Sequence, residues 1–188
     1  MKLTSTLRFF ALAAVLTSCR KDELPPPSLP PATQTGQGTL GFLLRDVEVW
    51  SSHGRWCTFT YANCEDNVVT AFYPRSPSRG YELEVSAART FNSVDQAFGI
   101  VVEGITATGT YALEEGKGGK MVFSDYVGPQ TEKVYRNSVP NTSTLKVTRL
   151  DTIEKVVSGT FSGVLYNTKD PDDSIAVQDG RFDARLKY

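Results

Sequence analysis

From Thr39 onward apolar residues recur at every second position, and this period restricts the chain to extended strands more than any other feature does. Tyr81, Leu83, Val85 and Ala87 alternate with Glu82, Glu84 and Ser86, and Leu145 and Val147 alternate with Lys146 and Thr148. Further strands are predicted over 39–44, 56–61, 68–73, 98–103, 110–113 and 121–125. Breakers separate them: Pro74-Arg75-Ser76-Pro77, the run Glu115-Gly116-Lys117-Gly118-Gly119 read as a hairpin turn, and Asp170-Pro171-Asp172-Asp173. No later stretch sustains a 3.6-residue period over three turns, and Asn92 to Phe98 makes one helical turn at most. With 40% apolar and 22% charged residues the composition is that of one globular domain. The fold class is therefore all-β, a single antiparallel β-sandwich or barrel of about nine or ten strands, rich in meander connections. A calycin-like closed barrel is the alternative within that class.

The C-terminal third carries the most specific pattern. Over 153–167, Val157, Gly159, Phe161, Gly163 and Leu165 share one face, and Val156, Ser158, Thr160, Ser162 and Val164 the other. Two glycines flanking Phe161 on its own face leave room for another backbone to approach. In the last strand the apolar phase changes, from Ile175 and Val177 to Phe182, Ala184, Leu186 and Tyr188. A one-residue slip would swap every side chain across the sheet, so one residue must be absorbed in between. Asp179-Gly180 is the expected β-bulge, with Gly180 at positive φ, and Arg181, Asp183, Arg185 and Lys187 are then expected to face out.

The N-terminus reads as an address. Lys2 and Arg8 precede an apolar run of eight residues, FFALAAVL, too short to span a bilayer, followed by Leu16-Thr17-Ser18-Cys19. This segment resembles a bacterial lipoprotein signal peptide. The resemblance implies cleavage after residue 18, lipid attachment at Cys19, and a membrane tether made firm by several acyl chains. Arg20, Lys21, Asp22 and Glu23 resemble the charged export signal of surface lipoproteins in Bacteroidota. That resemblance implies the outer face of the outer membrane, with the periplasmic face as the alternative. Residues 24–38 hold five of the ten prolines and read as a semi-rigid stalk, which leaves 39–188 as the β domain. The runs Ser-Gly-Thr-Phe-Ser at 158–162 and Asp-Gly-Arg-Phe-Asp at 179–183 resemble the end of a lipoprotein family of unknown function. That resemblance implies location and a β fold but no activity.

Cys57 and Cys64 remain after lipidation of Cys19. Outside the cytoplasm two such thiols usually pair, so a disulfide is expected, with free thiols as an alternative. A metal pair with His53 has no fourth ligand, and its spacing is unlike structural zinc sites.

Catalytic constellations are not found. His53 is the only histidine and sits in a turn-like stretch, and Gly159-Thr160-Phe161-Ser162-Gly163 lies within a strand rather than at a nucleophile elbow. Gly116 to Lys120 lacks phosphate-loop spacing, and Asp170, Asp172 and Asp173 miss the calcium-loop pattern. Glu82 and Glu84 share one strand face, which surface alternation explains, although a carboxylate pair can serve a hydrolase. Twenty Lys and Arg against 21 Asp and Glu, scattered along the chain, give no footprint for nucleic acid. Trp50 and Trp56 flank a short loop and are candidate ligand contacts. The expectation is a monomeric, non-catalytic β domain without cofactor or metal, acting as a binding or accessory module for a glycan, protein or envelope partner. A barrel carrying a small apolar ligand and a carboxylate hydrolase are the alternatives.

Overall fold

The computed structural model describes residues 28–52, 56–57, 64–65, 69–91, 94–126, 132–138 and 143–187. Among them are fourteen strands and no helix. They are β1 (Thr39–Leu44), β2 (Glu48–Ser51), β3 (Trp56–Cys57), β4 (Cys64–Glu65), β5 (Thr70–Phe72), β6 (Arg75–Ser76), β7 (Gly80–Phe91), β8 (Val94–Glu103), β9 (Gly109–Ala112), β10 (Gly119–Tyr126), β11 (Glu132–Arg136), β12 (Thr144–Asp151), β13 (Val156–Asn167) and β14 (Ser174–Lys187). Twelve of them form one continuous sheet, and β3 and β4 form a separate ribbon. The predicted one-turn helix is replaced by extended chain from Val94 onward.

The sheet folds into two facing layers. The first runs β2-β1-β14-β13-β12-β9, and the second runs β5-β7-β8-β10-β11. Two short seams join them. Leu186 and Lys187, at one end of β14, pair with Ala71 and Phe72 of β5. Tyr166 and Asn167, at the far end of β13, pair with Arg136 and Tyr135 of β11. Because β13 and β14 are antiparallel, these ends lie at opposite corners, and the seams close a ring of seven strands. The β14–β5 seam is parallel, so the sheet is mixed rather than purely antiparallel. A hairpin cannot join parallel neighbours, so the chain crosses between layers to make this pair. The glycine-rich turn over 115–118 likewise links β9 and β10 in different layers and is not a hairpin.

Aromatic side chains fill the space between the layers. Phe42 stands 4.7 Å from Phe98 and 4.9 Å from Trp50, centroid to centroid, and Phe98 stacks on Phe161 at 5.0 Å. These pairs bring β1, β2 and β13 of one layer against β8 of the other, with packing geometry that adds to simple area burial. Trp50 is fully buried and belongs to this core, so it is not an exposed ligand platform. The side chain of Trp56 lies outside the described residues, as do His53 and the segments 1–27 and 58–63.

The phase change in β14 is a bulge. Phe161 pairs with Gly180 and Gly163 with Val177, so β14 spends one residue more than β13 over the same span. Strand β1 records the same excess, pairing Gly41 with Arg181 and Leu43 with Gln178. The positive φ falls on Asp179 (49°) and not on Gly180. Gly180 serves a different purpose, since a Cβ there would run into the ring of Phe161 and, at 2.6 Å, its carbonyl oxygen. An Asp tolerates the left-handed region better than most residues, which allows it at the turn point of the bulge.

Candidate binding groove

Beyond the bulge the outer face of the first layer is a set of cross-strand rows. Thr110 of β9 opposes Lys146 of β12, Lys146 opposes Thr160 of β13, and Thr160 opposes Arg181 of β14. The neighbouring row contains Ala112, Thr144 and Ser162. A groove of about 580 Å³ lies over these rows, with Asp179 at the bulge on one side and Ala32 forming a wall. It shares Ser162 and Asp179 with a second concavity of about 380 Å³ that runs on over Gly163, Ala176 and Gln178. Gly159 and Gly163 alternate with Thr160 and Ser162 along β13 and lie on the opposite, inward face. A Cβ on Gly159 would come within 2.6 Å of the Lys146 carbonyl, and one on Gly163 would strike Ser143. Glycine at these positions therefore lets β12 and the chain before it lie close on β13.

Ala32 belongs to the segment read from sequence as a stalk. Its latter part is instead strapped onto the domain. Asp183, expected to face solvent, is 1% exposed because this strap covers it. Its carboxylate accepts hydrogen bonds from the Thr33 hydroxyl (2.7 Å), the Ser158 hydroxyl (2.7 Å) and the backbone N–H groups of Thr35 (3.0 Å), Gly36 (2.8 Å) and Gln37 (3.2 Å). Gly38 N–H adds a bond to the Asp183 carbonyl. Burial alone would push this carboxyl up. The hydrogen bonds from Thr33, Ser158, Thr35 and Gly36 outweigh it and hold the carboxyl at about 2, from an ordinary 3.8. Gly36 adopts a φ of +73° against the Arg185 stem, where any Cβ would lie 2.9 Å from that side chain.

A second polar arrangement closes one end of the interlayer space. Arg89, Gln96, Asp125 and Lys133 form a cross-strand row in register over β7, β8, β10 and β11. The row lies one step beyond the core row Ala87, Phe98, Phe123 and Tyr135, on the same face of the strands. The Gln96 amide oxygen accepts from Trp50 Nε1 at 3.0 Å and from Arg89 Nε at 2.6 Å, and its nitrogen donates to Asp125 at 3.3 Å. Arg89 also pairs with Glu48 and lies 5.3 Å over the Trp50 ring. Burial lowers the Arg89 pKa from its ordinary value, while the bond and charge of Glu48 act in the opposite direction. Gln96→Leu removes one acceptor from two buried donors and should cost about 2 kcal/mol, read as a lower urea midpoint at an unchanged slope. An unaltered midpoint would mean that the two donors find other partners.

Several other carboxylates are engaged by protein groups. Asp173 Oδ2 accepts from Asn167 Nδ2 and the Tyr135 hydroxyl, both at 2.9 Å, and the hydrogen bond from Asn167 leads the causes that lower its pKa. Asp170 accepts the Asp172 N–H at 3.3 Å. Glu82 opposes Glu103 across β7 and β8, with Arg79 bridging them at 3.3 and 3.0 Å. Glu84 opposes Phe72 and Val101 instead, so Glu82 and Glu84 are not brought to one centre. The backbones of Cys57 and Cys64 oppose each other in the β3–β4 ribbon, while their side chains lie outside the described residues.

Residues 52–185 match the family described as a domain of unknown function, DUF5025. The chain belongs to the DUF5025 family. No curated protein and no solved structure matches it. The DUF5025 match spans β3 to most of β14 and therefore includes the Lys146, Thr160 and Arg181 row, the bulge and Asp183. Strands β1 and β2 and the strap precede the match, yet they supply Phe42, Trp50 and the donors to Asp183. The DUF5025 segment and these preceding residues thus share one core. Period-two parity could have identified Arg89 as inward-facing, since it continues the phase of Leu83, Val85 and Ala87. No local signal marked Asp183, whose covering strap lies about 150 residues away in sequence.

Proposed function

We propose that the protein is a lipid-anchored, non-catalytic module of the outer membrane, tethered at Cys19 and facing the cell exterior. Its β domain presents the outer-face groove to a glycan, protein or envelope partner. The observation that carries this reading is the groove over Thr110, Lys146, Thr160 and Arg181, held on rigid strands beside the strap that leads back toward Cys19. The interior favours a module over a carrier, because Phe42, Trp50, Phe98, Phe123 and Phe161 pack against one another there. Arg79 compensates the Glu82–Glu103 pair, which favours a module over a carboxylate hydrolase. The lipoprotein-like N-terminus and the export-type Arg20 to Glu23 support the location, and also a Bacteroidota origin. In that oxidising setting the opposed Cys57 and Cys64 form a disulfide across the β3–β4 ribbon.

Protease shaving of intact cells tests the reading, with Cys19→Ala as the unanchored control. The domain should be cut from whole cells, and thiol labelling of the released fragment should require prior reduction. Survival until the outer membrane is opened would place the module on the periplasmic face. Labelling without reduction would refute the disulfide.

A further inference from the structure

The geometry points to an acidic saccharide as the occupant of the groove, an inference that rests on reading the groove as the module's binding surface. Lys146 and Arg181 stand two strands apart in one row, with Thr160 between them. At the usual strand spacing their backbones are roughly 9–10 Å apart, a separation at which two cations can meet charged groups on successive sugars of a chain. Neither makes a salt bridge among the described residues, and Arg181 Nε donates only to the Asp179 carbonyl at 3.2 Å. The acids of the same face are engaged elsewhere. Asp183 is taken by the strap and Asp151 by Arg149 at 2.9 Å, so Asp179 is the acid left on the groove lining. The face thus offers positive charge on a chain whose net charge is −1.

The lining also selects the kind of ligand. Thr110, Thr144, Thr160 and Ser162 present hydroxyls that can donate and accept, which suits the hydroxyl-rich surface of a sugar. Phe161, the one large hydrophobe of the lining, is 3% exposed. A protein interface generally needs exposed aromatic or aliphatic anchors, and this surface offers none among the described residues. The groove continues over small residues toward Ala176 and Gln178, so it suits an extended oligomer better than a lone anion.

The test titrates the full chain, in detergent, with oligogalacturonate, a neutral galacto-oligosaccharide of equal length, and inorganic phosphate. Lys146→Gln and Arg181→Gln change side chains outside the core, and an unchanged unfolding midpoint verifies that both variants fold. Acidic oligomer should bind in a salt-sensitive manner, and each substitution should weaken it about tenfold. Neutral oligomer should bind more weakly and respond to neither substitution. Equal binding of both oligomers, displacement by phosphate alone, or no binding at all would overturn the inference. Thr160→Trp, which fills the groove, distinguishes the two failures. If it abolishes neutral binding, the groove stands and only the charge preference falls; if it changes nothing, both fall.

Discussion

Asp183→Asn should lower the unfolding free energy by about 3 kcal/mol, because one buried carboxylate serves a whole set of donors and an amide reverses part of that polarity. For a domain of this size the melting temperature would fall by roughly 6–12 °C. The strap should loosen first, so amide exchange at Thr35, Gly36 and Gln37 should accelerate more than exchange in β13. The pH dependence provides an independent check. The folded carboxyl sits at about 2 and its ordinary value is 3.8, so the unfolded chain takes the proton first as pH falls. The stabilisation is therefore complete above the ordinary value and disappears as pH descends through the folded one, a change of about 2 kcal/mol. Urea unfolding of the wild type should show this loss, and Asp183→Asn should lack it. Parallel pH profiles for the two chains would show that the network does not stabilise the fold.

Gly180→Ala is the second substitution with a large expected effect. A Cβ at this position overlaps the Phe161 ring and stands 2.6 Å from the Phe161 carbonyl. The ring is itself fixed, stacked on Phe98 at 5.0 Å and edge-on to Phe42 at 5.9 Å. Relief therefore requires the β13–β14 backbone pair to separate, midway between the two seams that join the layers. Overpacking of this kind should cost about 3 kcal/mol. Gly80→Ala is the informative comparison. Gly80 has a φ of +74° but open space around the missing Cβ, so only backbone strain of about 1 kcal/mol is expected there. Thermal unfolding of the two variants should separate them clearly. Equal losses would mean that conformation, and not the approach of Phe161, determines the need for glycine at 180.

The period of two sufficed for the all-β class, most strand positions and the need for a bulge between Val177 and Phe182, because alternation directly records which side chains leave water. It also placed Phe161 between glycines, since bare backbone beside a large ring is a local signature of close packing. Pairing order was not legible. The β14–β5 and β11–β13 seams rest on two residue pairs each, and so few pairs leave no mark in composition or period. The contacts of the strap were not legible for a related reason. Proline-rich chain looks extended whether it stands in water or lies on a surface, and the residue that gathers most of this one's hydrogen bonds is an Asp whose alternation pointed outward. Lys146, Thr160 and Arg181 are far apart in sequence and unremarkable in their own strands, and their alignment depends on register across three strands. Local alternation was enough to define the all-β material of the domain, most of its strands and its bulge. Tertiary structure decided which strands meet, where Asp179 takes the left-handed turn, and which polar residues share a face, because these depend on long-range pairing rather than local preference.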